Sequence, residues 1–153
     1  MWKNIISKIW NKFPKYLRYR AVRATQRKFT VSAGAVVLNE KGEVLLLDHL
    51  LRPTANGWGI PGGFINPSEQ LDDAVRREVF EETGLELENL QLVWVRTIYR
   101  HIEAIFVATG KGEAKVKSLE IKEVKWFPLD NLPKEMTELQ EEIVRKALSK
   151  KTN

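Results

Sequence analysis

Apolar residues near the start of the chain are spaced for one face of a helix. They recur at intervals of one, three and four positions, and they are Trp2, Ile5, Ile6, Ile9, Trp10 and Phe13. This spacing predicts an amphipathic helix, which ends at Pro14 because proline breaks the hydrogen bonding of a helix interior. A second, basic helix is predicted over residues 16–27.

The middle of the chain contains apolar, β-branched and alternating segments of strand length, separated by turn residues. We expect strands at residues 29–38, 43–48, 58–60, 91–100, 103–109 and 124–127. Residues 39–42 end in glycine and predict a hairpin turn, and Pro61 with the two glycines after it predicts another turn. An amphipathic C-terminal helix is predicted over residues 134–150.

One more helix is predicted to follow the second turn and to end at Gly84. Its start has two interpretations. Asn66 with Pro67 and Glu69 makes one arrangement of cap and first turn, and a start near Gln70 makes the other.

Three glutamates of this helix, Glu78, Glu81 and Glu82, fall on the face that we expect to point toward the protein body. The same face carries Leu71, Ala74, Val75 and Leu85. The opposite face, predicted to meet solvent, carries Asp72, Asp73, Arg76, Arg77, Phe80 and Thr83. Unpaired carboxylates are costly inside a protein, and Mg²⁺ and Mn²⁺ prefer oxygen ligands. The pattern therefore predicts a divalent metal site.

The spacing of these residues matches a known signature at every fixed position. Gly63 is followed by Glu69, then by the pairs Arg77–Glu78 and Glu81–Glu82, and then by Gly84 and Leu85. This resembles the Nudix hydrolase box, G-x5-E-x7-R-E-U-x-E-E-x-G-U, in which U is aliphatic. The resemblance extends over residues 30–132, including residues 58–62 and 126–129. It implies an α/β protein with the Nudix fold, an α/β/α sandwich around a mixed β-sheet.

The resemblance also implies an activity. It indicates a metal-dependent hydrolase that cleaves the pyrophosphate bond of a nucleoside diphosphate linked to another moiety, with Mg²⁺ or Mn²⁺ as cofactor. The alternative is a Nudix-fold protein that binds a nucleotide without hydrolysing it. Replacement of one or more glutamates of the box would indicate that alternative, and here all of them are present.

Carried over position by position, the resemblance implies roles for individual residues. The implied metal ligands are the Gly62 carbonyl, Glu78, Glu81, Glu82 and Glu120, with Glu81 acting through water. The implied catalytic residues are Glu81, Glu120 and Arg77. Arg77 is expected to orient the site by pairing with Glu69, and a purely structural role for this pair has equal weight. Glu123 and Glu103 are the other candidates for the acidic residue outside the box. For each of these three glutamates the alternative is a solvated surface residue without a role at the site.

Residues that recognise the substrate are harder to identify. Arg52, Arg100 and Tyr99 are the candidates for substrate binding, because guanidinium groups suit phosphates and an aromatic ring can stack on a base. Arg96, His101 and Trp94 are weaker candidates, and for each aromatic residue packing in the core or on the sheet is the alternative. The leaving group stays open.

Composition limits the other classes of protein. A chain of 153 residues with 43% hydrophobic content is predicted to form one compact domain. The absence of cysteine excludes disulfides, zinc–thiolate sites and cysteine nucleophiles, and it fits a reducing compartment. No apolar run has the length of a membrane span, and lysines interrupt the N-terminus where a signal peptide would be apolar. We expect a cytoplasmic protein.

Charge separates an N-terminal arm, residues 1–29, from a Nudix domain, residues 30–153. The arm carries nine of the 25 basic residues and none of the 20 acidic ones, so the domain has a net charge of −4 although the whole chain has +5. The arm has several candidate partners: its own domain, a second subunit in a homodimer, a membrane surface, which would make the protein peripheral there, or a nucleic acid. Most amphipathic helices cover a core, so packing on protein is the expectation.

Overall fold

The structure, a computed structural model, describes residues 2, 7, 10–50 and 57–151. Its elements, in chain order, are α1 (Lys15–Thr25), β1 (Thr30–Leu38), β2 (Val44–His49), β3 (Gly57–Gly59), β4 (Gly62–Phe64), α2 (Leu71–Thr83), β5 (Glu86–Ile98), β6 (His101–Lys111), β7 (Ile121–Phe127) and α3 (Glu138–Lys151). Each helix and strand predicted within the described residues is present, with ends that differ by a few residues.

A seven-stranded mixed sheet forms the centre of the molecule. The strand order is β3-β2-β1-β6-β5, with β4 also pairing with β1 and β7 with β2. β1 and β6 are parallel over nine residue pairs, from Thr30 opposite His101 to Leu38 opposite Thr109. The other pairings are antiparallel. The second edge of β1 is divided, because β4 pairs near its start and β2 only at Leu38.

Alternate residues of the central strands serve two separate cores. Ala33, Ala35 and Val37 of β1 pack on the side of α2, whereas Val36 and Leu38 pack on the side of α3. Side chains of a strand point alternately to opposite faces, so each buried strand supplies both cores. Helices therefore cover both faces of the sheet, and the predicted α/β/α sandwich around a mixed β-sheet is confirmed.

The observed start of α2 decides between the two predicted starts, near Asn66 or near Gln70. The helix begins at Leu71, with Gln70 as its N-cap, and Glu69 precedes it. It ends at Gly84, whose φ of +76° is the left-handed conformation common after helices and whose N–H donates to the Phe80 carbonyl.

Two expectations about local structure are wrong. Gly62 and Gly63 form strand β4 rather than a turn, and they lie antiparallel to Gly34 and Ala33 of β1. Thr83 is completely buried instead of facing solvent. Its hydroxyl donates to the Val79 carbonyl at 2.6 Å and accepts the N–H of Leu85. Val79 and Thr83 thus take the core side of α2, and the glutamates lie beside that buried face.

The N-terminal arm is described in part. Most of the first predicted helix lies outside the described residues, and residues 10–12 are helical before Pro14. The second predicted helix is present as α1, and none of its residues is buried. The expected packing of the apolar stripe in residues 2–13, on its own domain or on a second subunit, stays a prediction. No helix in the described residues is long and apolar enough to cross a membrane.

Candidate functional site

Strand β4 brings two glycines against the acidic part of α2. The N–H of Gly62 donates to a carboxylate oxygen of Glu82 at 3.0 Å. Gly62 has a φ of +145°, and a β-carbon there would lie 2.4 Å from the Ala33 carbonyl oxygen. Only glycine can therefore bring β4 this close to β1. The structure gives the N–H of Gly62 a partner, while a metal-ligating role for its carbonyl stays a prediction.

Gly63 makes room for a second glutamate. A β-carbon at this position would lie 2.5 Å from the carboxylate of Glu78, which places that carboxylate directly against the strand. The side chain of Glu78 is 17% exposed. Gly62 and Gly63 thus hold the carboxylates of Glu82 and Glu78 along one short strand. We call the junction of β4 with α2, formed by residues 62–64 and these two glutamates, the acidic junction.

Arg77 organises the acids around this junction. Its guanidinium donates twice to Glu69, from Nε at 2.7 Å and from Nη2 at 2.9 Å. Nη1 donates to Glu78 at 2.6 Å and to Glu81 at 3.3 Å. Nη2 also donates to the Phe64 carbonyl at 3.2 Å. The predicted pairing of Arg77 with Glu69 is confirmed, and the same guanidinium connects β4 to α2.

The pKa values of this pair follow from its geometry. The hydrogen bonds from Arg77, together with the one from the Asn66 N–H at 2.8 Å, lower the pKa of Glu69 from 4.5 to about 2. The hydrogen bond to Glu69 raises the pKa of Arg77. Both groups are therefore charged at neutral pH, as an orienting pair requires.

We expect Glu69→Gln to lose its stability difference from wild type as the pH falls. The Glu69 carboxylate has a lowered pKa in the folded state, so it stabilises the fold above its ordinary value of 4.5, and this contribution disappears as the pH falls toward about 2. Urea unfolding of both proteins near neutral pH and near pH 2 measures the difference.

Glu40→Gln, an exposed change in the turn between β1 and β2, is the matched control and should show a constant offset from wild type. A pH-independent difference for Glu69→Gln would contradict the role of this ion pair in stability.

The three box glutamates differ in their surroundings. Glu78 and Glu82 are partly buried at the junction, but the Glu81 side chain is 58% exposed, so the expectation that all three point toward the protein body is wrong for Glu81. The carboxylates of Glu78 and Glu81 both accept a hydrogen bond from Nη1 of Arg77. The two carboxylates are therefore neighbours around one positive charge.

The donor set suits a divalent cation in its chemistry. Carboxylate oxygens are the ligands that Mg²⁺ and Mn²⁺ prefer, and Gly63 leaves the space that the Glu78 carboxylate uses. In the described residues, however, no three acidic or histidine side chains converge closely enough to form a ligand cluster. The Arg77 guanidinium donates to two of the three box glutamates, Glu78 and Glu81. A bound cation would share these carboxylates with Arg77 or replace it there.

The acids outside the box occupy different places. Glu120 is exposed just before β7, and its recorded bonds involve its backbone, which accepts from the Leu50 N–H and donates to the Ser118 hydroxyl oxygen. Glu123 is exposed on β7. Glu103 is paired with Arg96 at 2.5 Å. These contacts do not connect Glu120 with the acidic junction, and its roles as ligand and base stay predictions.

The candidates for substrate binding lie mostly at the tip of a hairpin. Tyr99, which is 97% exposed, and Arg100 form the turn between β5 and β6. Arg52 lies outside the described residues. Arg96 lies over the Trp94 ring, as does Lys146 of α3 at 4.1 Å. The substrate-binding roles of Tyr99, Arg100 and Arg52 stay predictions.

Phe64 was not identified from the sequence, although its neighbour His101 was named as a weaker candidate. Its carbonyl accepts from Arg77, and its exposed ring meets the His101 ring edge-on at a centroid distance of 5.8 Å. Both ring nitrogens of His101 are bonded, to the hydroxyls of Thr30 and Ser32 at 2.8 and 2.9 Å. His101 is thus held in place by β1 beside the junction. The signal that could have identified Phe64 is its position directly after the two glycines.

The chain is similar to known proteins. The NUDIX domain family matches residues 28–147. An 8-oxo-dGDP phosphatase of Homo sapiens is 33% identical over 107 residues, which cover 65% of this chain and 32% of that protein. A MutT-like protein of Streptomyces ambofaciens is 32% identical over 113 residues, covering 72% of this chain and 71% of that protein. The crystal structure of a MutT NUDIX hydrolase from Burkholderia pseudomallei has a TM-score of 0.70 and 29% identity, covering 78% of this chain and 98% of that one.

The molecule has a mixed sheet between two helical layers. An intact acidic box lies at the junction of strand β4 with helix α2, and this combination is the one expected of a Nudix protein. The chain belongs to the Nudix hydrolase family. It spans about a third of the length of the human relative.

Proposed function

We propose that the chain is a metal-dependent hydrolase that cleaves the pyrophosphate bond of a nucleoside diphosphate linked to another moiety. The observation that supports this most directly is the acidic junction, where Gly62 and Gly63 fix the carboxylates of Glu82 and Glu78. Membership in the Nudix hydrolase family supports the reaction type, and the name of the human relative, an 8-oxo-dGDP phosphatase, supports a nucleotide as the substrate class. We infer a cytoplasmic location, which the absence of cysteine favours.

The residues of the junction have separable tasks in this proposal. A divalent cation, when bound, supplies positive charge against the phosphates and acidity for the attacking water. Glu78, Glu82 and Glu81 would hold it, with the Gly62 carbonyl as a further ligand. Arg77 orients Glu78 through the bond at 2.6 Å and is itself fixed by Glu69. Because Glu69 accepts two bonds from Arg77, the guanidinium plane has one orientation.

The exposed acids are the candidates for receiving the proton from the attacking water. Glu81 and Glu120 are both solvent-accessible, so each can exchange a proton with water after turnover. Glu103 is a weaker candidate because it is engaged by Arg96. A general base must reach the water whose proton it accepts, and this requirement can be tested by removing one carboxylate at a time.

We expect Glu120→Gln to be more damaging than Glu123→Gln or Glu103→Gln. Loss of a general base or ligand lowers kcat by about 10²-fold or more, whereas the other two variants should stay within about 3-fold of wild type. Steady-state kinetics of the three variants under one metal concentration measure the order. Equal activity of all three would contradict the role of Glu120.

A hydrolysis screen tests the proposed reaction. Purified protein with Mg²⁺ or Mn²⁺ is incubated with dNTPs, 8-oxo-dGDP, ADP-ribose, NADH, dinucleoside polyphosphates and 5′-triphosphate RNA, and the products are separated by chromatography. Cleavage at a pyrophosphate bond that stops in EDTA is the expected result. Nucleotide binding without turnover of any of these compounds would instead identify a non-hydrolysing Nudix protein.

A further inference from the structure

Helix α1 leaves large apolar side chains in solvent along its whole length. The most exposed are Tyr19, at 72%, and Tyr16, at 62%, and Leu17 and Val22 are exposed as well. None of the eleven residues of this helix is buried. Soluble proteins rarely expose contiguous apolar patches, and those that do use them for binding. This helix therefore needs a partner other than its own domain.

The preceding segment continues the same surface. Trp10 lines a groove together with Lys15, Arg18, Tyr19 and Val22 of α1. The Arg18 guanidinium donates to the Asn11 side chain at 3.2 Å, which joins the two parts of the arm across Pro14. Trp10 and Phe13 are 40% and 48% exposed, so the aromatic surface extends on both sides of the proline.

The charge of the arm is entirely of one sign. The arm contains no acidic residue. Its nine basic residues are Lys3, Lys8, Lys12, Lys15, Arg18, Arg20, Arg23, Arg27 and Lys28. The domain that follows has a net charge of −4, but among the described residues the ion pairs of its acids are made with basic residues of the domain itself, such as Arg77 with Glu69 and Lys122 with Asp48. A partner that complements the arm must be anionic.

The surface of the domain next to the arm also combines basic and aromatic residues. Lys28 and Phe29 share a shallow depression with Tyr99 and Arg100 of the β5–β6 turn. The Arg100 carbonyl accepts the N–H of Thr30, which holds this turn at the start of β1. Basic and aromatic side chains thus continue from the arm onto the edge of the sheet.

We propose that the arm and the adjacent β5–β6 turn bind the surface of an anionic lipid bilayer. Tryptophan and tyrosine favour the boundary between headgroups and acyl chains, and lysine and arginine favour anionic headgroups. Aromatic and basic residues also bind single-stranded nucleic acid. The aliphatic residues Leu17 and Val22 favour the bilayer, because they gain from an apolar phase that bases and phosphates do not supply.

Co-sedimentation of the full chain with vesicles tests this proposal. We expect binding to vesicles of phosphatidylcholine with phosphatidylglycerol, and binding at least about tenfold weaker to phosphatidylcholine alone. High salt should release the protein from the anionic vesicles, because electrostatic attraction at a surface is screened. Equal binding to both kinds of vesicle, or none to either, would overturn the proposal.

Charge variants of the full chain locate the binding surface. Arg20→Glu with Arg23→Glu should weaken binding to anionic vesicles by at least about tenfold. Lys41→Glu with Lys134→Glu changes the net charge by the same amount at exposed positions of the domain and should leave binding near wild type. Equal losses in the two double variants would show a response to net charge alone and overturn the assignment to the arm.

Apolar variants separate a bilayer from the other partners. Trp10→Ser with Tyr19→Ser should weaken vesicle binding, whereas Leu119→Ser with Leu139→Ser, also exposed but in the domain, should not. Tight binding of single-stranded RNA with no binding to vesicles would identify a nucleic-acid surface instead. An oligomer that dissociates when Trp10 and Tyr19 are replaced, again without vesicle binding, would identify a subunit interface. Either result overturns the proposal.

Discussion

Replacing Glu82 with glutamine is expected to lower kcat by at least about 10²-fold, because Glu82 is a proposed ligand of the cation that would supply several kcal/mol of charge stabilisation. Glutamine keeps an oxygen that can accept the Gly62 N–H, so the shape of the acidic junction is preserved while one negative charge is removed. Turnover of the substrate found in the screen, at saturating concentration with Mg²⁺, measures the loss.

Glu86→Gln is the matched control for this variant. Glu86 is exposed at the start of β5, and its replacement removes the same charge four positions further along the chain. It should leave kcat close to wild type and the melting temperature unchanged. Near-normal turnover in Glu82→Gln, or full wild-type activity in EDTA, would contradict a metal-dependent reaction at this junction.

Adding one methyl group at Gly63 should abolish most activity and leave the fold intact. The new β-carbon would lie 2.5 Å from the Glu78 carboxylate, which is the movable end of a flexible side chain. The carboxylate will move rather than the backbone, so Gly63→Ala should fold with nearly the wild-type melting temperature. A displacement of about 1 Å at a reacting centre can cost about 10²-fold in rate.

Gly62→Ala, one position earlier, should destabilise the fold itself, whereas Gly63→Ala should leave the fold intact. Its β-carbon would meet the Ala33 carbonyl oxygen at 2.4 Å and the Gly34 α-carbon at 2.5 Å, and its φ of +145° is strained for any other residue. We expect a loss of roughly 2–5 kcal/mol of unfolding free energy, from overpacking and backbone strain together. Thermal unfolding and kinetics of both variants separate the two effects. Full activity in Gly63→Ala would show that Glu78 does not act from the position described.

Much of the fold could be predicted because its signals are local. The alternation in β1 and the apolar spacing of α3 each depend on the side chains of one segment, and both elements formed. The family signature predicted the sandwich, and the pairing of Arg77 with Glu69 followed from the same signature. The end of α2 was predictable because Gly84 is the residue type that ends helices.

The errors have a common cause in tertiary packing. Gly62 and Gly63 have the composition of a turn, but β1 lies close enough to pair with them, and a sequence does not show that approach. Thr83 was predicted to be exposed because the acidic residues were used to orient α2. The buried side is set by Val79 and by the hydrogen bonds that the Thr83 hydroxyl makes at the end of the helix. That rotation also leaves Glu81 in solvent.

Arg77 gives the acidic junction a counter-ion that is part of the chain. Its guanidinium already lies against Glu69, Glu78 and Glu81, so these carboxylates can come together during folding without waiting for an external cation. Binding of the proposed cation would then exchange one positive charge for another, while Arg77 could keep its two bonds to Glu69. Folding of the protein would thereby be uncoupled from the supply of the proposed metal, and occupancy of the site could follow the free concentration of the ion.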